Sequence, residues 1–175
     1  MTATGGIPRV DPDAISSSAF KRAMFSFALT PAGTWYSSQV GARIDPWLVK
    51  VSGGRIDSAL GTIPVAVLTV RGARSGVERK VPLLYFNDGE DIVLIASSYG
   101  RPKFPSWYYN LKAHPDVTLE ARGRAGRYHA TEVEGAERDR LFAQGKKVYR
   151  GYADYERRTE GVRRIPVMRL SLVSA

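Results

Sequence analysis

Apolar residues recur along the chain with two different periods. In the N-terminal third, Val40, Ile44, Trp47, Leu48 and Val51 share one helical face, and Phe20, Met24, Phe27 and Ala28 do the same between Ala19 and Leu29. Asp11-Pro12, Thr30-Pro31 and Asp45-Pro46 each set a capping side chain before a proline suited to the first helical turn. Gly53-Gly54 supplies a stop. From residue 62 the period shortens. Ile63 to Val70 is a nearly continuous apolar run, which predicts a strand buried on both faces. Arg79 to Phe86 reads as a second strand, turned by Asn87-Asp88-Gly89 into a third from Asp91 to Ser97. Trp107 to Ala113 predicts a short helix stopped by His114-Pro115. Val117–Ala121 and Tyr128–Val133 read as a hairpin joined by Gly123-Arg124-Ala125-Gly126. A charged amphipathic helix from Glu134 to Val148, a second short helix near Tyr152, and a strand from Ile165 to Leu172 complete the pattern.

Short strands linked as hairpins, with a last strand that returns after helices, predict an α+β fold built on an antiparallel Greek-key barrel. The division expected is a helical segment over 1–54 and a barrel over 55–175. The chain has 175 residues, enough for one domain with its own core. It contains no cysteine and only two histidines, which excludes disulfides and thiolate metal sites and leaves no case for a metal centre. No long apolar run predicts a membrane span, and the start lacks the pattern of a secretory signal, so a cytoplasmic protein is expected. Phe20, Met24, Phe25 and Phe27 beside Lys21 and Arg22 would also suit peripheral contact with the inner face of a membrane.

The formal net charge of +9 adds a clue about ligands. Arg71, Arg74, Arg79 and Lys80 crowd around one glycine turn, which favours a local anion site over a nucleic-acid face. In Arg71-Gly72-Ala73-Arg74-Ser75-Gly76, two glycines permit positive φ, so successive amides could aim at one anion. Ser75 adds a hydroxyl, and Arg74 and Arg79 can each grip a phosphate with two donors. The plainer reading is a solvated hairpin turn. A second stretch, Ala96 to Asn110, ends a strand in hydroxyls and enters a helix at Ser106, where free amides favour negative charge. Trp107 there serves equally as core or as the wall of a flat slot. Tyr149, Tyr152 and Tyr155, three apart, predict an aromatic row on one helical face with hydroxyl tips.

These three places make the chain resemble the deazaflavin-dependent nitroreductases, the flavin/deazaflavin oxidoreductases of mostly actinobacterial origin. The likeness runs from about Gly54 to Leu170. It rests on the Gly-x-x-Ser-Gly-x-x-Arg turn, the Ala-Ser-x-x-Gly-x-x-Lys-x-Pro-x-Trp-Tyr-x-Asn segment and the terminal Ile-Pro strand. The resemblance implies the split β-barrel of the FMN-binding superfamily, a homodimer in many members, and hydride transfer from reduced coenzyme F-420 to a quinone, enone or nitro compound. FMN on the same barrel and a non-catalytic deazaflavin carrier are the alternatives. Carried over residue by residue, it implies that Arg74 holds the cofactor phosphate, with Ala73 and Ser75 beside it and Arg79 as the second cation, and that Lys80 lies on the strand under the deazaflavin. Val81, Pro82, Leu83 and Leu84 would pass under the ring, flanked by Ile95, Ala96, Ser97 and Ser98, with Ser97 close to the reacting centre. Ser106, Trp107, Tyr108, Tyr109 and Asn110 would form the other wall, and Tyr149, Tyr152 and Tyr155 the acceptor pocket, Tyr152 also touching the cofactor. Ser98 stands where some members carry lysine, so that phosphate contact would be missing or would pass to Lys103 or Arg101. Leu84 stands where the nitroreductase branch can carry tyrosine, which weighs against bulky nitroaromatic acceptors.

Overall fold

Alternating side chains and two tight turns start the sheet. The computed structural model describes residues 6–12 and 64–173. Strand β1 (Val65–Arg71) sends Ala66, Leu68 and Val70 inward and leaves Val65, Val67 and Thr69 half-buried on the outside. The apolar run is thus not buried on both faces, because a strand in a barrel wall presents one face to the interior and its outer positions keep β-branched residues for their extended preference. Strand β2 (Glu78–Asp88) pairs antiparallel with all of β1 through Glu78 to Leu84, and strand β3 (Asp91–Ile95) pairs with β2 from Tyr85 to Asp88. Helix α1 (Ser106–Ala113) leads into β4 (Asp116–Ala121) and β5 (Arg124–Val133). Helices α2 (Gly135–Val148) and α3 (Gly151–Thr159) precede β6 (Val167–Leu172). The strands close in the order β1-β2-β3-β6-β5-β4, the six-stranded antiparallel split barrel. Strands β3 and β4, consecutive in sequence, sit far apart in that order, which is the Greek-key crossover.

The β4–β5 turn is tighter than its composition predicts. Gly126 already lies in β5 opposite Leu119, and only Arg122 and Gly123 form the turn, with φ of 49° and 75°. Two successive positive φ values match the right-handed twist of the flanking strands, and the ladder therefore extends to Ala121–Arg124.

Two apolar clusters result. The barrel interior holds Leu68, Leu94, Leu119, Met168 and Leu170, all at most 1% exposed, with Trp107 and Leu111 of α1 plugging one end. The outer cluster joins Phe86, Val93 and Val167 of the wall to Leu141 and Phe142 of α2 and Tyr152 of α3. Burying each large side chain contributes about 2 kcal/mol, so both layers are needed to hold the helices on the wall.

The described N-terminal residues are part of the barrel. Ile7 is buried in the interior, and its N–H donates to the Tyr128 hydroxyl at 2.9 Å. The Tyr85 hydroxyl donates to the Pro8 carbonyl at 2.8 Å, and Asn87 exchanges two bonds with Val10. Burial raises both phenols, Tyr85 to about 12, and the strap supplies each with a partner. The backbone turns helical at Pro12, as the Asp11-Pro12 pair predicts. The helices expected at 19–29 and 40–51, the Phe20–Phe27 face and the rest of the 1–54 segment lie outside the described residues.

Candidate active site

The basic turn folds by consuming its own amides. Gly72 N–H donates to the Val77 carbonyl at 2.9 Å, Gly76 N–H to the Gly72 carbonyl at 2.9 Å, and Val77 N–H to Ser75 Oγ at 3.3 Å. Arg71 closes the loop through Nε on the Gly76 carbonyl at 3.2 Å. Gly76 has a φ of 66°, whereas Gly72 is not among the positive-φ residues; a Cβ there would meet Ser75 Oγ at 2.6 Å. The expectation that both glycines take positive φ and aim their amides at one anion is therefore corrected: only Gly76 takes positive φ, and both glycine amides are bonded within the turn. Arg74 and Arg79 are exposed and neither is ion-paired among the described residues, while Lys80 stands 3.7 Å from Glu120.

Helix α1 is tied to that turn. Asn110 Oδ1 accepts the Ala73 N–H at 3.0 Å, joining two motifs 37 residues apart in sequence. Trp107 and Tyr108 turn into the barrel interior, so the outward side of α1 is carried by Ser106, Tyr109 and Asn110. Tyr108 donates its hydroxyl to Glu132 at 3.0 Å, and burial, then that carboxylate, pushes the phenol to about 12.

Beside α1 the sheet opens. The register of β3 on β2 ends at Leu94, while on its other edge β3 stays with β6, where Ala96 N–H donates to the Pro166 carbonyl. Among the described residues, nothing pairs with the second edge of β2 from Glu78 to Leu84. Tyr85 N–H donates to the Pro64 carbonyl on the β1 side, so by antiparallel alternation the backbone groups of Lys80, Pro82 and Leu84 face the open edge. Pro82 thus stands where its missing N–H leaves no ladder bond unmade. Lys80 N–H and the carbonyls of Lys80 and Pro82 are available to a ligand along that edge.

The loop from Ser97 to Phe104 is strained and clamped. Ser98, Tyr99 and Gly100 have φ of 52°, 57° and 71°, a left-handed turn that costs about 1 kcal/mol for each residue bearing a Cβ. At Gly100 a Cβ would meet Tyr155 Cα and the Arg158 side chain at 3.1 Å, so glycine allows the loop to press on α3. Arg163 holds the other side: Nη2 donates to the Ser97 carbonyl at 2.7 Å, Nε to the Arg101 carbonyl at 2.9 Å, and the guanidinium lies 4.8 Å from the Phe104 ring. Its partial burial lowers its pKa. No motif marks Arg163 in the sequence; the signal was a pair of arginines directly before the Ile-Pro of the last strand. Lys103 is exposed on the same loop.

The tyrosines cluster, but they do not share one helix. Tyr149 caps α2, and α3 starts only at Gly151, where a Cβ would strike the Tyr149 ring. The chain reversal between the helices nevertheless brings the rings together. Tyr149 and Tyr152 are 5.3 Å apart at 87°, Tyr152 and Tyr155 are 6.3 Å apart, and the Tyr149 and Tyr155 hydroxyls share a hydrogen bond of 3.1 Å. Tyr152 packs on Phe142 in the outer cluster and is 5% exposed, whereas Tyr149 and Tyr155 are half-buried. Burial raises the Tyr152 and Tyr155 phenols well above their ordinary value, Tyr155 also through its bond with Tyr149. Both remain proton donors at neutral pH.

Turn, α1, loop and tyrosines therefore form one connected rim, linked by Asn110 on Ala73, Phe104 against Tyr108 and Tyr109, and Tyr99 against Tyr155. A cavity of about 710 Å³ lies elsewhere, between α2, α3 and residues 160–165, and shares only Arg163 with that rim. Its lining alternates Arg138, Arg157 and Arg164 with Asp139, Glu156 and Glu160, and no flat apolar wall faces it. No cluster of possible metal ligands occurs among the described residues.

The family model described as F420H(2)-dependent quinone reductase matches residues 41–171. An F420H(2)-dependent quinone reductase of Mycobacterium tuberculosis strain H37Rv is 31% identical over 144 residues, covering 78% of this chain and 95% of the relative. A solved F420-H2 dependent reductase, FDR-A, is 36% identical with a TM-score of 0.57, over 62% of this chain and 94% of that one. A solved domain-swapped dimer is 29% identical with a TM-score of 0.58, over 74% and 98%.

Proposed function

From the premise that this chain belongs to the F420H(2)-dependent quinone reductase family, we propose that the rim beside β2 is its cofactor and acceptor site. The chain is a coenzyme F-420-dependent oxidoreductase. Bound coenzyme F-420 in its reduced state supplies a hydride, and the acceptor proposed is a quinone.

The residues on the rim suit that cofactor. The tail of coenzyme F-420 is polyanionic, and Arg74 and Arg79 are exposed cations without a carboxylate partner among the described residues. That observation carries the reading. Ser75 supports the turn from within, and the Asn110 bond to Ala73 fixes the turn against α1 so that phosphate and ring contacts keep one spacing. The edge of β2 offers backbone groups and the flat ring of Pro82 to a planar heterocycle. Val81 and Leu83 point to the barrel interior and Leu84 to the outer cluster, so they support that strand from beneath. Ile95, Ala96, Ser97 and Ser98 form one border, with Ser97 held through its carbonyl by Arg163. Ser106, Tyr109 and Asn110 form the other border, while Trp107 and Tyr108 anchor α1 from within. Tyr149 and Tyr155, neighbours of the Ser97 border through Gly100, share one hydrogen bond, so one hydroxyl of the pair donates to an acceptor oxygen as negative charge develops on it while the other donates to its partner. Tyr152 holds the pair in place from the core.

The test is an anaerobic titration with coenzyme F-420 and FMN side by side, read by tryptophan quenching, followed by quinone-dependent oxidation of reduced F-420. Micromolar or tighter binding of the deazaflavin, with turnover, is the expected result. Preference for FMN would assign the turn to another phosphate; binding without turnover of any quinone, enone or nitro compound would make the protein a carrier. A homodimer belongs to the same reading, since one structural relative is a domain-swapped dimer. Sedimentation as a single monomeric species would discard it.

A further inference from the structure

We propose that Tyr99 is the residue that selects flat, extended quinones, its ring forming the stacking face on which the acceptor lies. This rests on the reading of the rim as a quinone site and names a determinant within it. Tyr99 is 70% exposed, more than any other large apolar side chain among the described residues. It is fixed. The left-handed turn from Ser98 to Gly100 sets its backbone, and the ring meets Tyr155 edge-on at 6.1 Å and 75°. The Arg101 guanidinium stands 5.9 Å from its centroid.

Three consequences join here. The ring is two residues from Ser97 and in contact with Tyr155, so it borders both the strand end and the hydroxyl pair. A β-bearing residue in this conformation is strained, and the strain persists because Gly100 packs on α3 and Arg163 grips the loop on both sides, at Ser97 and Arg101. The chemistry is also complementary: an electron-rich phenol offset-stacks on an electron-poor quinone, and the area of overlap grows with the fused ring system. A two-ring naphthoquinone therefore gains from Tyr99, and a one-ring benzoquinone gains much less.

The experiment compares wild type, Tyr99→Phe and Tyr99→Asn with menadione and 1,4-benzoquinone as acceptors. Asparagine tolerates the left-handed conformation, so the backbone is kept while the ring is removed. Tyr99→Asn is expected to raise the KM for menadione about tenfold, to change the KM for benzoquinone less than about threefold, and to leave kcat within about twofold. Coenzyme F-420 affinity and thermal midpoint stay at wild-type values, and Tyr99→Phe behaves as wild type with both acceptors. An unchanged menadione KM in Tyr99→Asn overturns the proposal. So does an equal loss with both acceptors together with weaker F-420 binding, which would make the ring a prop for the cofactor loop. If wild type reduces neither quinone, the reading of the site as a quinone reductase fails first and this inference falls with it.

Discussion

Arginines on two parts of the surface lead different lives. On the α2–β6 side they are paired: Arg140 grips both oxygens of Asp88 at 2.8 Å, Arg169 reaches Asp88, Asp91 and Glu137, and Arg164 meets Asp139. Arg138, 5% exposed, donates twice to the Ile165 carbonyl and once to Asp139, with its guanidinium 4.3 Å from the Phe142 ring. On the turn after β1, by contrast, Arg74 and Arg79 have no carboxylate among the described residues. The net charge of +9 therefore says little until it is mapped onto partners. Paired arginines staple helices to the wall, and on the proposed reading Arg74 and Arg79 keep their donors for the cofactor.

The sharpest way to break this comparison is at the turn. Replacing Arg74 and Arg79 together by alanine is expected to weaken coenzyme F-420 binding about 100-fold, since each charge-assisted contact contributes about 1.5–3 kcal/mol. The unfolding free energy should move by less than about 0.5 kcal/mol. Isothermal titration and denaturant melts read the two separately, and a large stability loss would mean the turn is structural after all.

The opposite result is expected on the other side. Arg138→Met removes the bonds to the Ile165 carbonyl and should cost about 2 kcal/mol in denaturant unfolding. Coenzyme F-420 affinity of the folded variant should remain within about twofold. A joint loss would couple the two regions through Arg163, which borders both the cavity beside Arg138 and the loop at Ser97.

A smaller effect should follow pH. Hydrogen bonds from Arg140, then the nearby charge of Arg169, hold the Asp88 carboxyl below the ordinary aspartate range. Its pKa is lower in the folded chain than in the unfolded one. The contribution is present above the unfolded value, about 4, and is lost as pH falls through the folded value. Asp88→Asn should thus be less stable than wild type from neutral pH down to about 5, and the gap should close in acid melts below about 4. A gap that persists unchanged in acid would assign it to shape and not to charge. The weakest effect is that of salt: exposed Arg74 and Arg79 should lose a few-fold in cofactor affinity between about 0.05 and 0.5 M sodium chloride. Affinity that ignores salt would place the binding energy in the β2 edge.

The strands and helices were legible because each carries its own period, and the basic turn because charge and glycine coincide within ten residues of sequence from Arg71 to Lys80. What could not be read is what depends on who meets whom. Gly72 looks as permissive as Gly76, yet only Gly76 takes positive φ, because Gly72 is needed for the close approach of Ser75. Trp107 stands in the family motif, and only the packing of α1 on the barrel says that its ring faces inward. Tyr149 breaks the expected helical row because Tyr149-Arg150 reverses the chain, although the rings still converge. Arg163 carried no spacing signal, since both of its partners are main-chain carbonyls, which any sequence can supply.

The strap of residues 6–12 sets an order of events for the nascent chain. Ile7 waits on the hydroxyl of Tyr128, 121 positions later, and Pro8 on that of Tyr85. This segment leaves the ribosome well before Tyr128 and can therefore be seated only after β5 has emerged and closed on β4. Closing so long a loop slows the search for the native arrangement, and until it is complete one end of the barrel stays unsealed with two phenols lacking their partners. A segment made early is thus stitched in late.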